Sequence, residues 1–272
     1  MDWVSFPGLG IGKIFLRDYA FIFFGIKIKW YAVLICFGIL LALLIGLSLC
    51  KNFNVKKEDL LNLTTVGVFF GGIGSRLYYV VFNWETYSKN ILSIFNLRAG
   101  GLAIYGAIIF SVLAGFVFCK IKNIAFLPVV DIAGICFLVG QAIGRWGNFV
   151  NIEAFGVKTN LPWGMISNKI LAEESPVHPT FLYESLWCVL GFFVLLFLMK
   201  RRKFNGQMFL LYISWYSFGR FFIEGIRSDS LWLVKNVVKV SQLLSFILFF
   251  ASVFVQVYIL FFKIKKTTKP KN

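Results

Sequence analysis

The chain contains a single histidine, His178, in 272 residues. Common zinc sites draw on several histidines or on clustered thiolates, so no metal is implied. Cysteine is equally unhelpful as a framework. The five, at positions 36, 50, 119, 136 and 188, are odd in number, fall within or at the edge of apolar stretches and show no paired spacing. They read as core-filling thiols rather than disulfides or metal ligands. Gly-x-Ser-x-Gly elbows, P-loops and dinucleotide fingerprints are absent, which leaves serine hydrolase and nucleotide-dependent chemistry without support. The first strongly apolar stretch starts late and lacks a small-residue cleavage pattern, so it is expected to act as its own insertion signal rather than as a cleaved signal peptide. No convincing internal repeat is visible, which weakens an inverted-repeat transporter reading. Acids are also few: 12 Asp and Glu stand against 28 Lys and Arg, a net charge of +16.

That positive balance does not point to nucleic acid, because the bases sit between hydrophobic runs rather than on a soluble face. Hydrophobic residues make up 59% of the chain and the mean hydropathy is +0.80, values of an integral membrane protein. Seven segments have roughly the 20 apolar residues needed to cross a bilayer: 30–50, 60–82, 100–119, 126–150, 181–199, 207–226 and 240–262. Helices satisfy their own backbone in lipid, so the expected fold is an all-α polytopic membrane protein of seven transmembrane helices, a single membrane domain over 1–272. The first, third and seventh spans carry no charge; the others hold Arg76, Asp131, Arg145, Glu184, Arg220 and Glu224.

Lysine and arginine cluster after spans one, three and five and in the basic tail 263–272, which the positive-inside rule assigns to the cytoplasm. The N-terminus is therefore expected outside and the C-terminus inside. Residues 1–29 become an outer N-terminal segment, where Ile26, Ile28 and Trp30 alternate with Lys27 and Lys29 in the period of an extended strand. The insert 151–180, between spans four and five, is expected to form a small outer head. Loops of that length are usually functional or disordered, and its Phe155, Trp163 and Ile166 argue against disorder.

The densest chemistry lies at 144–156 (GRWGNFVNIEAFG), at the end of the fourth span. A charge at bilayer depth costs at least about 2.5 kcal/mol, so Arg145 is a functional-site candidate. Gln141, Arg145 and Asn148 follow one another at i, i+4 and i+7 and share a helical face. Asp131 lies fourteen residues upstream, roughly 21 Å along the axis, too far to pair with Arg145. The counter-charge is then Glu153, Glu184, Glu224 or a lipid phosphate; a structural ion pair is the plain alternative to function. On the sixth span Arg220 and Glu224 are spaced to neutralise each other, and Arg227 continues the face, leaving one guanidinium for another acid such as a phosphate. Arg76 follows Gly71, Gly72 and Gly74, where it is either functional or a buried hydrogen-bonding strut. Tyr31 and Tyr105 are explained equally well as interfacial anchors.

Together these residues resemble the signature of bacterial prolipoprotein diacylglyceryl transferases, with Gly144, Arg145, Gly147, Asn148, Phe149, Asn151, Glu153 and Gly156 in its fixed positions. The resemblance extends to Trp30-Tyr31, Gly74-x-Arg76, Gly100-Gly101 before Tyr105, His178-Pro179 with Tyr183-Glu184, and Tyr216 with Arg220, Glu224 and Arg227. It implies transfer of the diacylglyceryl group of phosphatidylglycerol to the lipobox cysteine of lipoprotein precursors, without a cofactor, in the bacterial cytoplasmic membrane and at a site toward the outer leaflet. By the same resemblance Arg145 and Arg220 hold the phosphate, and Tyr31, Asn148, Asn151, Glu153 and Gly156 line the site. Arg76, Glu224 and Arg227 complete the candidate substrate-binding set, and Tyr105 joins the two arginines as a candidate catalytic group. Many members carry histidine at the position of Tyr105, so the proton acceptor stays open between Tyr105, Glu153 and His178. The rival readings are a membrane transporter for an organic anion, which needs polar residues reaching both faces, and a scaffold with structural arginines.

Overall fold

The computed structural model describes residues 1–88, 90–96, 100–170, 175–234 and 237–267, with side chains to 262. Glu173, Glu174 and the end of the basic tail, 268–272, lie outside the described residues, as do the tail side chains from 263. The protein is mostly helical. Its long helices are α1 (Trp30–Leu49), α2 (Lys57–Phe82), α4 (Ile104–Ile121), α5 (Phe126–Asn151), α6 (Thr180–Met199), α7 (Gln207–Ile226) and α8 (Val240–Thr267); α3 (Trp84–Tyr87) is a single turn. Among the described residues, six helices are long and apolar enough to cross a membrane, which makes this a polytopic membrane protein. The segment not among those six is α7, whose 20 residues span about 30 Å. Its Arg220 and Glu224 dilute its apolar content. One boundary moves: the third expected span starts at Ile104 rather than 100, because Gly100 and Gly101 both take positive φ (80° and 81°) and cannot continue a helix backward.

The chain divides into two compact units, 1–45 with 131–272, and 46–130. In the smaller unit α2 and α4 pack through glycines, as intramembrane helices do when backbones approach closely. Ser111 Oγ donates to Gly67 O at 2.7 Å, and a Cβ on Gly71, Gly74 or Gly106 would collide with the facing helix.

The larger unit holds the remaining long helices together with β-structure. The extended piece read at residues 26–30 is β4 (Ile26–Lys29), ending where Trp30 turns helical, and three further strands were not foreseen: β1 (Asp2–Phe6) pairs antiparallel with β2 (Ile11–Leu16), and β3 (Tyr19–Phe23) with β4. The outer edge of β1 receives β5 (Ile166–Ser167), Val4 opposite Ser167. The N-terminal segment and the 151–180 insert thus share one sheet, ordered β2-β1-β5. Beneath it lies an apolar cluster of Val4, Ile152, Met165, Ile170, Val177 and Phe181, with Phe149 and Phe155 packed against it. This cluster ties the end of α5 and the start of α6 to the sheet. A last ribbon, β6 (Trp232–Val234) with β7 (Val238–Lys239), follows α7.

Candidate active site

Helix α5 ends in a Schellman motif, and that ending builds one side of the site. Ile152 N donates to Phe149 O at 3.1 Å and Glu153 N to Asn148 O at 3.0 Å, the paired bonds that close such a cap. The cap requires a left-handed residue, usually glycine, yet the position is occupied by Ile152 at φ 54°, with Ala154 at φ 56° two residues on. Such backbone costs about 1–3 kcal/mol per residue and persists only where the surroundings impose it. Here burial of Ile152 in the apolar cluster and the hydrogen bond from the Thr180 hydroxyl to Ala154 O impose it. Glu153, held between the two, turns its Oε1 back to accept from Asn148 Nδ2 at 2.9 Å and Asn151 Nδ2 at 3.1 Å.

One turn down α5, Arg145 joins this group. Its Nη1 donates to Asn148 Oδ1 at 3.3 Å and its Nη2 to Tyr216 Oη on α7 at 3.2 Å. Its Nε pairs with Glu184 on α6, so among the counter-charges left open by the sequence the structure selects Glu184. The same carboxylate pairs through its other oxygen with Arg220, whose Nη2 lies 2.5 Å from Glu224 Oε2. Two guanidinium groups therefore flank one carboxylate that is 4% exposed, while Arg145 and Arg220 keep 21% and 14%. Among the described residues Arg220 Nε carries no hydrogen bond, and a guanidinium has five donors. The site can therefore present both cations to an anion without releasing Glu184.

Arg227 does not supply the spare cation expected from α7. It forms a two-pronged pair with Asp229, 2.9 and 2.8 Å, and lies 3.9 Å from Glu224. Burial, the largest single influence, acts against the Asp229 charge, but the hydrogen bonding and charge of Arg227, a backbone hydrogen bond and the Arg220 charge together hold the carboxyl below its usual range. The three arginines are thus matched by Glu184, Glu224 and Asp229.

Four neighbours position these groups. The Tyr31 ring lies directly against Gly147, where any Cβ would collide with it. Gly156 is a point of close backbone approach: its N–H donates to His178 O at 2.8 Å, and a Cβ there would lie 2.9 Å from Ile226 O. Gly156 therefore clamps the insert to the end of α7 and does not present a side chain to a ligand. His178 Nδ1 is 3.0 Å from Tyr183 Oη, which also accepts from Trp163 Nε1 at 2.8 Å. Gln141 donates to Tyr212 Oη at 2.9 Å on the same α5 face as Arg145.

Arg76 and Tyr105 belong to the smaller unit. Arg76 Nε donates to Ile94 O, Nη1 to Gly100 O and Gly101 O, and Nη2 to Ser93 O and Asn96 O. Every donor of this buried guanidinium is engaged by backbone. It acts as the strut anticipated as its alternative role, and as a substrate ligand it has no donor left in this arrangement. Tyr105, in the first turn of α4, is 55% exposed, and its hydroxyl has no hydrogen-bond partner among the described residues.

One residue, Lys239, escaped sequence reasoning, and Asp131 was noted there without a partner. Lys239 is 7% exposed and its ammonium donates to Glu224 O, Gly225 O and Arg227 O at 2.7–3.0 Å, capping the C-terminal carbonyls of α7. Asp131, fully buried, does the converse at the other end, accepting from Gly206 N at 2.7 Å and Phe209 N at 3.0 Å. Lys239 lies well beyond the end of α7, directly before α8, so no local sequence pattern links it to the carbonyls it caps.

Comparison with known proteins gives the same reading. The family model described as prolipoprotein diacylglyceryl transferase matches residues 18–258. The chain belongs to the prolipoprotein diacylglyceryl transferase family. Proteins named phosphatidylglycerol–prolipoprotein diacylglyceryl transferase resemble it over most of their length. The one from Clostridioides difficile strain 630 is 46% identical over 240 residues, 88% of this chain and 94% of that relative. The one from Finegoldia magna is 45% identical over 239 residues, again 88% and 94%. That of Listeria monocytogenes serotype 4b is 42% identical over 241, 86% of each. Membership of this transferase family places the Arg145–Glu184–Arg220 cluster in an enzyme rather than in an anion transporter or an inert scaffold.

Proposed function

We propose that the protein transfers the diacylglyceryl group of phosphatidylglycerol to the thiol of the lipobox cysteine in lipoprotein precursors, the first step of bacterial lipoprotein maturation. The sulfur attacks the glycerol carbon esterified to phosphate, the carbon–oxygen bond breaks, and a thioether and glycerol phosphate result; the thiol proton is lost to a base. The observation that carries this reading is the pair of guanidinium groups on α5 and α7 held on either side of Glu184 with donors to spare. Two preorganised forks in a poorly hydrated site stabilise the charge that develops on a leaving phosphate. The same field favours the thiolate of an incoming cysteine, whose free thiol has a pKa of about 8.5. Tyr216 orients Arg145, and Glu153 organises the two asparagines. Tyr105 orients substrate or relays the proton.

The bilayer arrangement belongs to this proposal. Seven helices cross the plasma membrane, α7 included, with the N-terminal strands and the 151–180 head outside, the basic tail inside and the site toward the outer leaflet. The distribution of lysine and arginine supports it. Labelling of engineered cysteines at Lys158 and at Lys200 tests it: a membrane-impermeant reagent reaches the first from outside and not the second, and the opposite pattern overturns it.

Activity is tested by incubating the purified protein with phosphatidylglycerol and a lipobox peptide and weighing the peptide. A diacylglyceryl mass gain on the cysteine peptide and none on its serine counterpart is expected, because an alcohol is a far weaker nucleophile near neutral pH. No gain on either, or anion uptake without peptide modification, contradicts the proposal.

A further inference from the structure

Among the described residues, strands β3 and β4 form a two-stranded hairpin that joins no larger sheet, and their register sorts the side chains onto two unlike faces. Phe21 stands opposite Ile28 and Phe23 opposite Ile26. Because side chains alternate along a strand, Phe21, Phe23, Ile26 and Ile28 share one wholly apolar face. The other face pairs Ile22 with Lys27 and, past a register shift between Tyr19 and Phe21, Tyr19 with Lys29, and the Lys27 ammonium lies 5.4 Å from the centre of the Tyr19 ring. The turn carries Phe24 and Gly25 at positive φ, and Phe24 is 89% exposed; Phe21, Phe23 and Ile26 are 51%, 58% and 42% exposed. No acidic residue occurs from Tyr19 to Tyr31. A lone two-stranded hairpin is marginally stable in water and needs its apolar face covered.

Where the hairpin is attached decides what covers it. β4 ends at Lys29 and α1, an uncharged 20-residue membrane helix, begins at Trp30 with no linker. Trp30 N donates to Asp18 O at 3.4 Å, closing the base of the hairpin onto the helix. At about 3.3 Å per residue the four-residue strand is roughly 13 Å long, so the aromatic tip stays near the level at which α1 leaves the hydrocarbon. Aromatic rings concentrate at that level, and lysines there meet lipid phosphates.

We propose that the β3–β4 hairpin is an interfacial anchor that lays Phe21, Phe23, Phe24 and Ile26 into the bilayer surface and holds the phosphates of anionic lipid with Lys27 and Lys29. The lipid class it selects includes phosphatidylglycerol, so the hairpin enriches anionic lipid beside the first span. This rests on α1 being a membrane helix and not on the transferase reading, and its test reads no catalysis.

The test uses the full chain with Phe24→Cys at the exposed tip and Cys36→Ser; the other four cysteines are buried. A polarity-sensitive dye on the new cysteine is followed in vesicles of phosphatidylcholine with and without phosphatidylglycerol. The dye is expected to be shielded from aqueous iodide and to be quenched more by head-proximal spin-labelled phosphatidylglycerol than by the matching phosphatidylcholine. One lysine near an anionic surface is worth about a fivefold preference, so Lys27→Gln with Lys29→Gln is expected to bring the two lipids to equal quenching. Full iodide access in both vesicle types overturns the anchor, and a lipid preference unchanged in the double variant overturns the role of the lysines. Shielding that appears only on adding lipobox peptide assigns the face to the peptide and likewise overturns the proposal.

Discussion

Trp187 on α6 and Trp215 on α7 clasp each other symmetrically. Their rings stack 4.4 Å apart at 14°, and each indole N–H donates to the backbone carbonyl of the other residue, at 2.9 and 3.0 Å. Each ring also covers a glycine on the opposite helix, Trp187 over Gly219 and Trp215 over Gly191, where a Cβ would strike the indole. The clasp sets the register of the two helices, and it lies one turn from Glu184 and adjacent to Arg220. Gly219→Ala is therefore expected to destabilise the protein by about 1–3 kcal/mol, the usual cost of overpacking. Gly72→Ala, at a helical position with nothing within 4 Å of the added methyl, should stabilise slightly. Thermal unfolding in detergent separates the two. Equal melting temperatures would show that the clasp does not set helix register.

Glu184 is the shared counter-charge of Arg145 and Arg220. Glu184→Gln leaves two poorly hydrated guanidinium groups facing each other without a charge between them, and breaking a buried pair on one side typically costs about 3–5 kcal/mol. We expect a large loss of both melting temperature and turnover. A folded, fully active Gln variant would mean that the arginines are held by other groups.

For the proton, Tyr105→Phe should lower turnover and Tyr105→His restore at least part of it. His178→Ala should leave measurable activity, because His178 is bonded to Tyr183 Oη and through its carbonyl to Gly156, a role in shaping the turn. Full activity in Tyr105→Phe together with complete loss in folded His178→Ala would reverse the two assignments.

At the N-terminal sheet, the hydrogen bond from Lys169 holds the Asp2 carboxyl below its usual value of 3.8. A carboxyl depressed in the folded state contributes stability that is present above the unfolded pKa and lost as pH falls through the folded one. Amide protection in β1 and β5, taken relative to intrinsic exchange at each pH, should fall below about pH 4, and Lys169→Met should blunt that acid response. An unchanged exchange profile in the variant would remove the Asp2–Lys169 pair from the sheet's stability.

How much of this was legible in the sequence depends on the range of the interaction. Local periodicity sufficed for the apolar helices, for the extended strand at 26–29, and for the face shared by Arg145 and Asn148, which the 3.3 Å bond confirms. It could not choose Glu184 over Glu153 or Glu224, since that depends on how α6 is set against α5 and α7. The pairing of β1 with the two-residue β5, across some 160 positions, leaves no pattern to read. Helix α7, read as a span from the sequence, is present, but Gln207, Ser214 and Ser217 together with Arg220 and Glu224 make it less apolar than the other six. Arg227 looked unpartnered because Asp229 lies beyond the helix end and its geometry is set by the turn.

The central claim is that Arg145 and Arg220 grip one phosphate with planar forks, which a lysine of equal charge cannot reproduce. The most direct test is the initial rate of diacylglyceryl transfer from phosphatidylglycerol to a lipobox peptide, measured by mass spectrometry for Arg145→Lys and Arg220→Lys in membranes where both variants are inserted and folded. Losing one such electrostatic contact is expected to slow turnover by about a hundredfold or more in each. Near-normal rates in both lysine variants would contradict the account and leave the arginines a structural role.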